Sequence, residues 1–216
     1  MNDATERLIR NLAENARPVA RLRPPLVRAA LWLVAVGVLL AVAIGLFADR
    51  DVIAARLAGV SLDVELAGML LTGILAVIAA FELSLPDRSA AWALLPLPPL
   101  TLWLGFTGAA CYGHWFSDGW APGSSADCLK FILGAGLPLG GSLVHLLRRA
   151  APLAPVRVAA LGGLGAAGIA AFALQFFHPF DVTFLDLVTQ VGAALLVVLA
   201  ATGWERLRLA RAGSGA

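Results

Sequence analysis

The chain has 216 residues, of which 60% are apolar and only 14% are charged, and its mean hydropathy is +0.84. Soluble domains rarely have this composition, and the polar segments between the apolar stretches are too short to fold separately. The formal net charge of +2 comes from arginines beside the apolar stretches, so it indicates membrane orientation and contact with lipid head groups and not direct binding of nucleic acid.

The first 25 residues are polar and precede the first apolar stretch. Leu8, Ile9 and Leu12 fall on one face of a helix that we predict from about Asp3 to Ala16, ending before Pro18. Two interpretations are open. The amphipathic helix lies on the lipid surface or frays in solvent, or it docks on a cytoplasmic protein.

Six predominantly apolar segments follow, each long enough to cross a hydrocarbon core of about 30 Å. They cover residues 28–48, 64–82, 91–111, 128–147, 158–177 and 185–203. We therefore predict an all-α membrane protein: a six-transmembrane-helix bundle with a short N-terminal cytoplasmic amphipathic helix. Its predicted parts are a cytoplasmic tail (1–27), a membrane domain (28–203) and a basic cytoplasmic tail (204–216).

The distribution of positive charge fixes the predicted orientation. An even number of crossings returns the chain to its starting side, and thirteen of the sixteen Lys and Arg residues fall on that side. Only Arg50, Arg56 and Lys130 fall on the other. By the positive-inside rule both termini are cytoplasmic. No cleavable signal is apparent, so we expect a multi-pass protein of the bacterial inner membrane.

Small residues recur within the spans. Spacing of four residues places small side chains on one helix face and lets two backbones approach closely. We interpret these positions as packing faces within the bundle. They are Gly37, Ala41 and Gly45 in the first span, Gly136 and Gly140 in the fourth, and residues 162–168 in the fifth.

Three prolines, Pro96, Pro98 and Pro99, fall inside the third apolar segment. Proline lacks an amide donor and clashes with the preceding turn of a helix. Such prolines kink a helix or delay its regular start, and from this cluster we predict a bent third span.

Polar residues are scarce in the middle of the spans, which argues against a transporter, pump or channel. Charged residues near span ends, such as Glu82, are expected to reach interfacial water. Gln190 lies deeper, and we interpret it as an interhelical hydrogen-bonding residue. The tryptophans, Trp103 among them, mostly lie near predicted interfaces, as in an aromatic belt.

The sequence lacks the motifs of catalytic serine, phosphate-binding and zinc sites that we sought, so we predict a protein that is not an enzyme and has no resident cofactor. We instead expect thiol redox reactions or metal binding at the external face. Cys111 and Cys128, the only cysteines, flank the external loop 112–127, where a disulfide is sterically conceivable.

The two cysteines differ in position. Cys111 ends the third span and is interpreted as an inert packing residue, with a sensor role as the alternative. Cys128 begins the fourth span nearer the aqueous edge, and is the stronger candidate for a sensor or a ligand of a transient heavy-metal ion. His178, in the turn 177–181, is either a further ligand or an interfacial cap.

Four stretches together carry a family resemblance. They are TERLIRNLAENARPVARLRPPLVRAALWL (5–33), CLKFILGAGLPL (128–139), LLRRAAPLAP (146–155) and FFHPFD (176–181). Their order around six spans resembles the NrsF-type anti-sigma factors, which are six-span negative regulators of an extracytoplasmic-function sigma factor.

The resemblance implies that the cytoplasmic tail holds such a sigma factor at the membrane and that a stimulus at the external face, such as heavy-metal or oxidative stress, releases it. An apolar helix face with charges at its rim suits a groove on a helical partner. The implied sigma-factor-binding residues are Arg7, Leu8, Ile9, Arg10, Leu12, Val19 and Leu22.

The external site departs from the family pattern. The resemblance implies that relatives that sense metals use two external cysteines, one matching Cys128 and one close to a His-Pro turn. In this chain that turn has His178 and no cysteine. Cys128 with His178 is therefore the better candidate pair, and Cys111 is an additional cysteine. Two other classes stay open: a small-solute transporter or channel, and a structural membrane subunit without a sensor.

Overall fold

The computed structural model describes residues 3–15, 22–57, 60–118, 125–177 and 184–214. Within these ranges the chain is helical and has no strand. The α-helices, in chain order, are α1 (Asp3–Glu14), α2 (Pro25–Phe47), α3 (Arg50–Leu57), α4 (Val60–Glu82), α5 (Leu97–Asp118), α6 (Ser125–Arg148), α7 (Pro155–Leu174) and α8 (Phe184–Gly213). A 3₁₀ helix, Ala90–Leu94, precedes α5.

Six helical segments of the described chain are long and apolar enough to cross a membrane, which confirms the predicted fold class. They are Pro25–Phe47, Val64–Glu82, Ala90–Ala109, Cys128–Arg148, Pro155–Leu174 and Leu187–Gly213. The short helix α3 was not predicted. The last helix continues without a break through most of the predicted basic tail, because the strong helix formers Leu, Arg and Ala fill it and no glycine or proline intervenes before Gly213.

Helix α7 lies at the centre of the bundle and packs against α4, α6 and α8. A methyl group added at Gly168 would lie 3.0 Å from the backbone of Gly73 in α4, and one added at Gly163 would lie 2.9 Å from the Cα of Val198 in α8. These contacts are too short for a side chain, so glycine is required for the close helix crossings. The predicted packing role of the fifth span is confirmed.

The corresponding prediction for the first span is wrong. A methyl group added at Gly37 or Gly45 would meet no atom within 4 Å. Helix α2 lies at the edge of the bundle, and its buried residues are confined to its first half, ending at Val36. Since lipid is as apolar as a protein core, a helix face of small and apolar residues does not need a protein neighbour.

The regular helix of the third span begins late. Regular helix starts only at Leu97, after the 3₁₀ helix, and Pro98 and Pro99 occupy the first turn of α5. Amide groups in a first turn have no acceptor within the helix, so proline is tolerated there. The prolines thus delay the start of the regular helix, and the predicted bend stays a prediction.

Trp103 is not part of an aromatic belt, contrary to the prediction. Its side chain is buried against Met69 of α4 and Ala171 of α7. Gly68 makes room for it, since a methyl group there would lie 2.9 Å from the Cβ of Trp103. The local sequence around an apolar tryptophan does not distinguish a buried position from one at the membrane interface.

Candidate functional site

Helix α1 presents an uncovered apolar stripe, defined by Leu8, Ile9 and Leu12. Their exposed fractions are 60%, 55% and 63%, and no residue of α1 is buried. Arg7 and Arg10 are exposed as well, and Arg7 lies 3.8 Å from Asp3 one turn earlier. The predicted helix is therefore present, and its apolar side is available to another molecule.

The remaining predicted sigma-factor-binding residues lie between α1 and α2. Leu22 is 48% exposed. Val19 lies outside the described residues. Their predicted role stays a prediction.

The start of α2 is joined to α6 and α4. The Nη2 of Arg28 donates a hydrogen bond of 2.8 Å to the carbonyl oxygen of Leu146, and its guanidinium carbon lies 5.0 Å from the centre of the Phe81 ring. One turn further, the Nε1 of Trp32 donates to the Oγ of Ser142 at 3.2 Å. Because residues 1–24 lead directly into this turn, the junction connects the tail to the bundle.

Two buried carboxylates lie at this same end of the bundle, which we call the arginine-rich end for Arg28, Arg88, Arg148 and Arg208. Glu82 is 2% exposed and its Oε2 lies 3.0 Å from the Nε of Arg88. It does not point into interfacial water, contrary to the prediction, because the turn after α4 brings Arg88 back to it.

Glu205 is the second of these carboxylates and was not identified from the sequence. It is buried at 2% exposure, forms an ion pair with the Nε of Arg148, and its Oε2 lies 3.8 Å from Arg208. The sequence did contain a feature that could have identified it, since Glu205 is the only acidic residue in the basic segment 204–216. A lone carboxylate among arginines at the end of a span is a candidate for a buried ion pair.

Cys128 lies at the opposite end of the bundle. It is 4% exposed and packs with Ile132 of its own helix, Ala170 and Leu174 of α7, and Ala193 of α8. The expectation that Cys128 faces the aqueous edge is therefore wrong. The first turn of α6 directs this side chain inward, between α7 and α8.

The other two sensor candidates are less fully described. Cys111 lies in α5, but its side chain is outside the described residues, as is all of His178. The ring of Phe177 lies 5.1 Å from that of Phe131, three residues after Cys128. The chain thus reaches the residue before His178 close to the first turn of α6. Among the described residues no group of three or more His, Cys, Asp or Glu could hold a metal ion, and the metal site stays a prediction.

Gln190 is buried in α8, at 4% exposure. Its Oε1 accepts no hydrogen bond, so that atom does not form the predicted interhelical bond. The structure gives no reason to treat Gln190 as a substrate ligand.

Comparison with known families gives one match. A family model described as NrsF, negative regulator of sigma F, matches residues 12–211. The match covers all of α2 to α7 and the six candidate spans up to residue 211; it begins at Leu12, so Leu8 and Ile9 precede it. Neither the curated proteins nor the solved structures contain a match to the chain.

Proposed function

The chain belongs to the NrsF family of negative regulators of a sigma factor, and from this premise we propose that it is an inner-membrane anti-sigma factor with cytoplasmic termini. Its N-terminal segment sequesters an extracytoplasmic-function sigma factor, and an envelope, heavy-metal or oxidative stress signal releases it. The observation that carries the proposal is the uncovered apolar stripe of α1. Family membership favours regulation over the transporter and structural alternatives.

The stripe has the size of a helix-in-groove contact. Leu8, Ile9 and Leu12 each expose more than half of their surface. Burying an exposed side chain of this size contributes on the order of 1.5 kcal/mol or more, so three together supply several kcal/mol toward binding. The exposed Arg7 and Arg10 lie beside the stripe in sequence and supply charges that set the register of the helix on its partner.

Release of the sigma factor requires that a change at Cys128 reach the N-terminal tail at the opposite end of the bundle. Helix α6 connects the two ends. The helix begins near Cys128 and ends at Arg148, and its last turns carry both acceptors that bind α2, Ser142 Oγ and the Leu146 carbonyl. A group added to the thiol of Cys128 has little room among its neighbours, so α6 must shift. That shift changes the junction from which the tail extends.

This mechanism requires two packing states of the bundle that differ in their affinity for the stimulus. The two states differ in whether Cys128 is buried. The thiol reacts only when the contact between the first turn of α6 and helices α7 and α8 opens, and the modified side chain then stabilises the open packing.

Cys128→Ser should leave retention of the sigma factor intact but reduce its release on oxidative or heavy-metal stress severalfold. Serine preserves the size of the side chain but lacks the thiolate that reacts with oxidants and soft metals. Transcription from a promoter of the sigma factor, before and after the stress, measures both effects. Cys111→Ser serves as the matched control, and an unchanged stress response in Cys128→Ser would reject the sensor assignment.

The effector role of the tail is tested by deleting residues 2–23 on the chromosome. Without its docking segment the protein should still insert in the membrane, while unstressed transcription from the sigma factor's promoters rises to the level of a strain that lacks the whole protein. Immunoblotting of membranes controls for expression. Transcription that stays repressed in the presence of normal amounts of the truncated protein would contradict the proposal.

A further inference from the structure

A groove of about 340 Å³ lies between α6 and α8 at the arginine-rich end. Small and apolar residues line most of its length, namely Leu137, Gly140, Gly141, Val197, Ala200 and Ala201. The volume is within the range of roughly 300 to 1,000 Å³ that is typical of small-molecule sites. Leu137 and Gly141 are exposed at its edge, so the groove opens to the side of the bundle, where the candidate spans would meet lipid.

The end of the groove is polar and positively charged. His145, Arg148 and Trp204 line it, and the Arg148 guanidinium carbon lies 5.8 Å from the centre of the Trp204 ring. The Nε of Arg148 is used by Glu205, but its Nη2 is buried and donates no hydrogen bond. A buried guanidinium N–H without an acceptor is costly, and an anionic oxygen is its best partner.

We propose that this groove binds an anionic diacyl phospholipid of the phosphatidylglycerol class. One acyl chain lies along the glycine and alanine wall, and the phosphate accepts a hydrogen bond from the guanidinium of Arg148, whose side chain is 22% exposed. The proposal does not depend on the sigma-factor function; it requires only that the six candidate spans lie in a membrane.

Charge complementarity selects this occupant. Arg148 and Arg208 outnumber Glu205, the carboxylate that both of them contact at the polar end. A zwitterionic lipid offers the same phosphate, but its cationic head group would meet these arginines. Free phosphate would leave the apolar wall without contact.

The first test compares phosphatidylglycerol with phosphatidylcholine of the same acyl chains, added to the delipidated full-length protein in detergent and measured by native mass spectrometry. We expect about tenfold tighter binding of phosphatidylglycerol, because its head group lacks the positive charge that the arginines repel. Glycerol 3-phosphate, which has no acyl chain, should not displace the lipid. Equal affinity for the two lipids, or displacement by glycerol 3-phosphate, would overturn the proposal.

A substitution in the groove wall provides the second test. A Cβ at Gly141 meets no atom within 4 Å, so the backbone there has room for a side chain, and Gly141→Leu extends that side chain at the groove. We expect it to lower phosphatidylglycerol affinity at least tenfold. Gly134→Leu is the matched control, since Gly134 lies on the same helix, has equal space and does not line the groove. Unchanged affinity in Gly141→Leu would overturn the proposal.

The role of Arg148 is tested without leaving a buried charge behind. The double substitution Arg148→Gln with Glu205→Gln removes both members of the ion pair. It should lower the affinity for phosphatidylglycerol about tenfold, because the phosphate loses its charged donor, while the acyl chains still bind the apolar wall. Unchanged affinity would show that Arg148 does not bind the phosphate.

Discussion

Leu8→Asp should weaken binding of the sigma factor at least thirtyfold. The substitution places a carboxylate in the apolar contact that the stripe of α1 is proposed to make, at a cost of about 2 kcal/mol or more, which corresponds to roughly thirtyfold in the dissociation constant. Ile9→Asp should have a similar effect. The affinity is measured with purified full-length protein in detergent and the cognate sigma factor, by fluorescence anisotropy.

Asn11→Asp is the control for this result. It introduces the same charge on the same helix, but Asn11 is an exposed polar residue that does not belong to the stripe. It should bind the sigma factor with nearly the affinity of the unmodified chain. Equal loss in all three variants would indicate that the helix had unfolded, and normal binding by both stripe variants would remove α1 from the interface.

Arg148→Ala should lower the free energy of unfolding by about 3 kcal/mol. Glu205 is 2% exposed, and without Arg148 its carboxylate would keep only the longer contact to Arg208. Glu205→Ala should cost less, since Arg148 is 22% exposed and retains access to other partners. Denaturation in mixed micelles measures the change.

The double substitution and a neighbouring arginine separate the ion pair from general effects of charge. Arg148→Ala with Glu205→Ala should be more stable than Arg148→Ala alone, because no buried charge is left without a partner. Arg206→Ala, on an exposed neighbour, should change stability by no more than about 0.5 kcal/mol. If Arg148→Ala is no less stable than Arg206→Ala, the ion pair does not stabilise the fold.

The features that depend on local pattern were predictable from the sequence. Helix α1 follows from the spacing of Leu8, Ile9 and Leu12 and from Pro18, which lies beyond its end. The six spans follow from the length and composition of their apolar runs, and the late start of α5 follows from its prolines. Each of these signals lies within about 20 residues of the structure it specifies.

The packing of the spans was less predictable, because a lipid-facing side of a helix is as apolar as a protein-facing one. Gly37 was therefore placed in a packing face that α2 does not make, and Trp103 was placed at an interface although it is buried. The ion pair of Arg148 with Glu205 joins residues 57 positions apart, so the local sequence marks Glu205 as a candidate but does not indicate its partner.

The candidate site was predicted in part. The tail helix and its exposed stripe are present, whereas Cys128 is buried and not at the aqueous edge. The burial of Cys128 depends on which direction the first turn of α6 faces, and that direction is set by α7 and α8. The junction of Arg28 with Leu146 likewise depends on how two distant helices meet.

The most direct test of the proposed function is an affinity purification of the detergent-solubilised protein from its own unstressed cells, beside a version that lacks residues 2–23, with the bound proteins identified by mass spectrometry. We predict that a small sigma factor is recovered with the full-length chain and is absent from the truncated one. If both versions retain it equally, the tail is not the segment that sequesters it. If no sigma factor accompanies either version, the result contradicts the anti-sigma-factor function and favours the transport or structural alternatives.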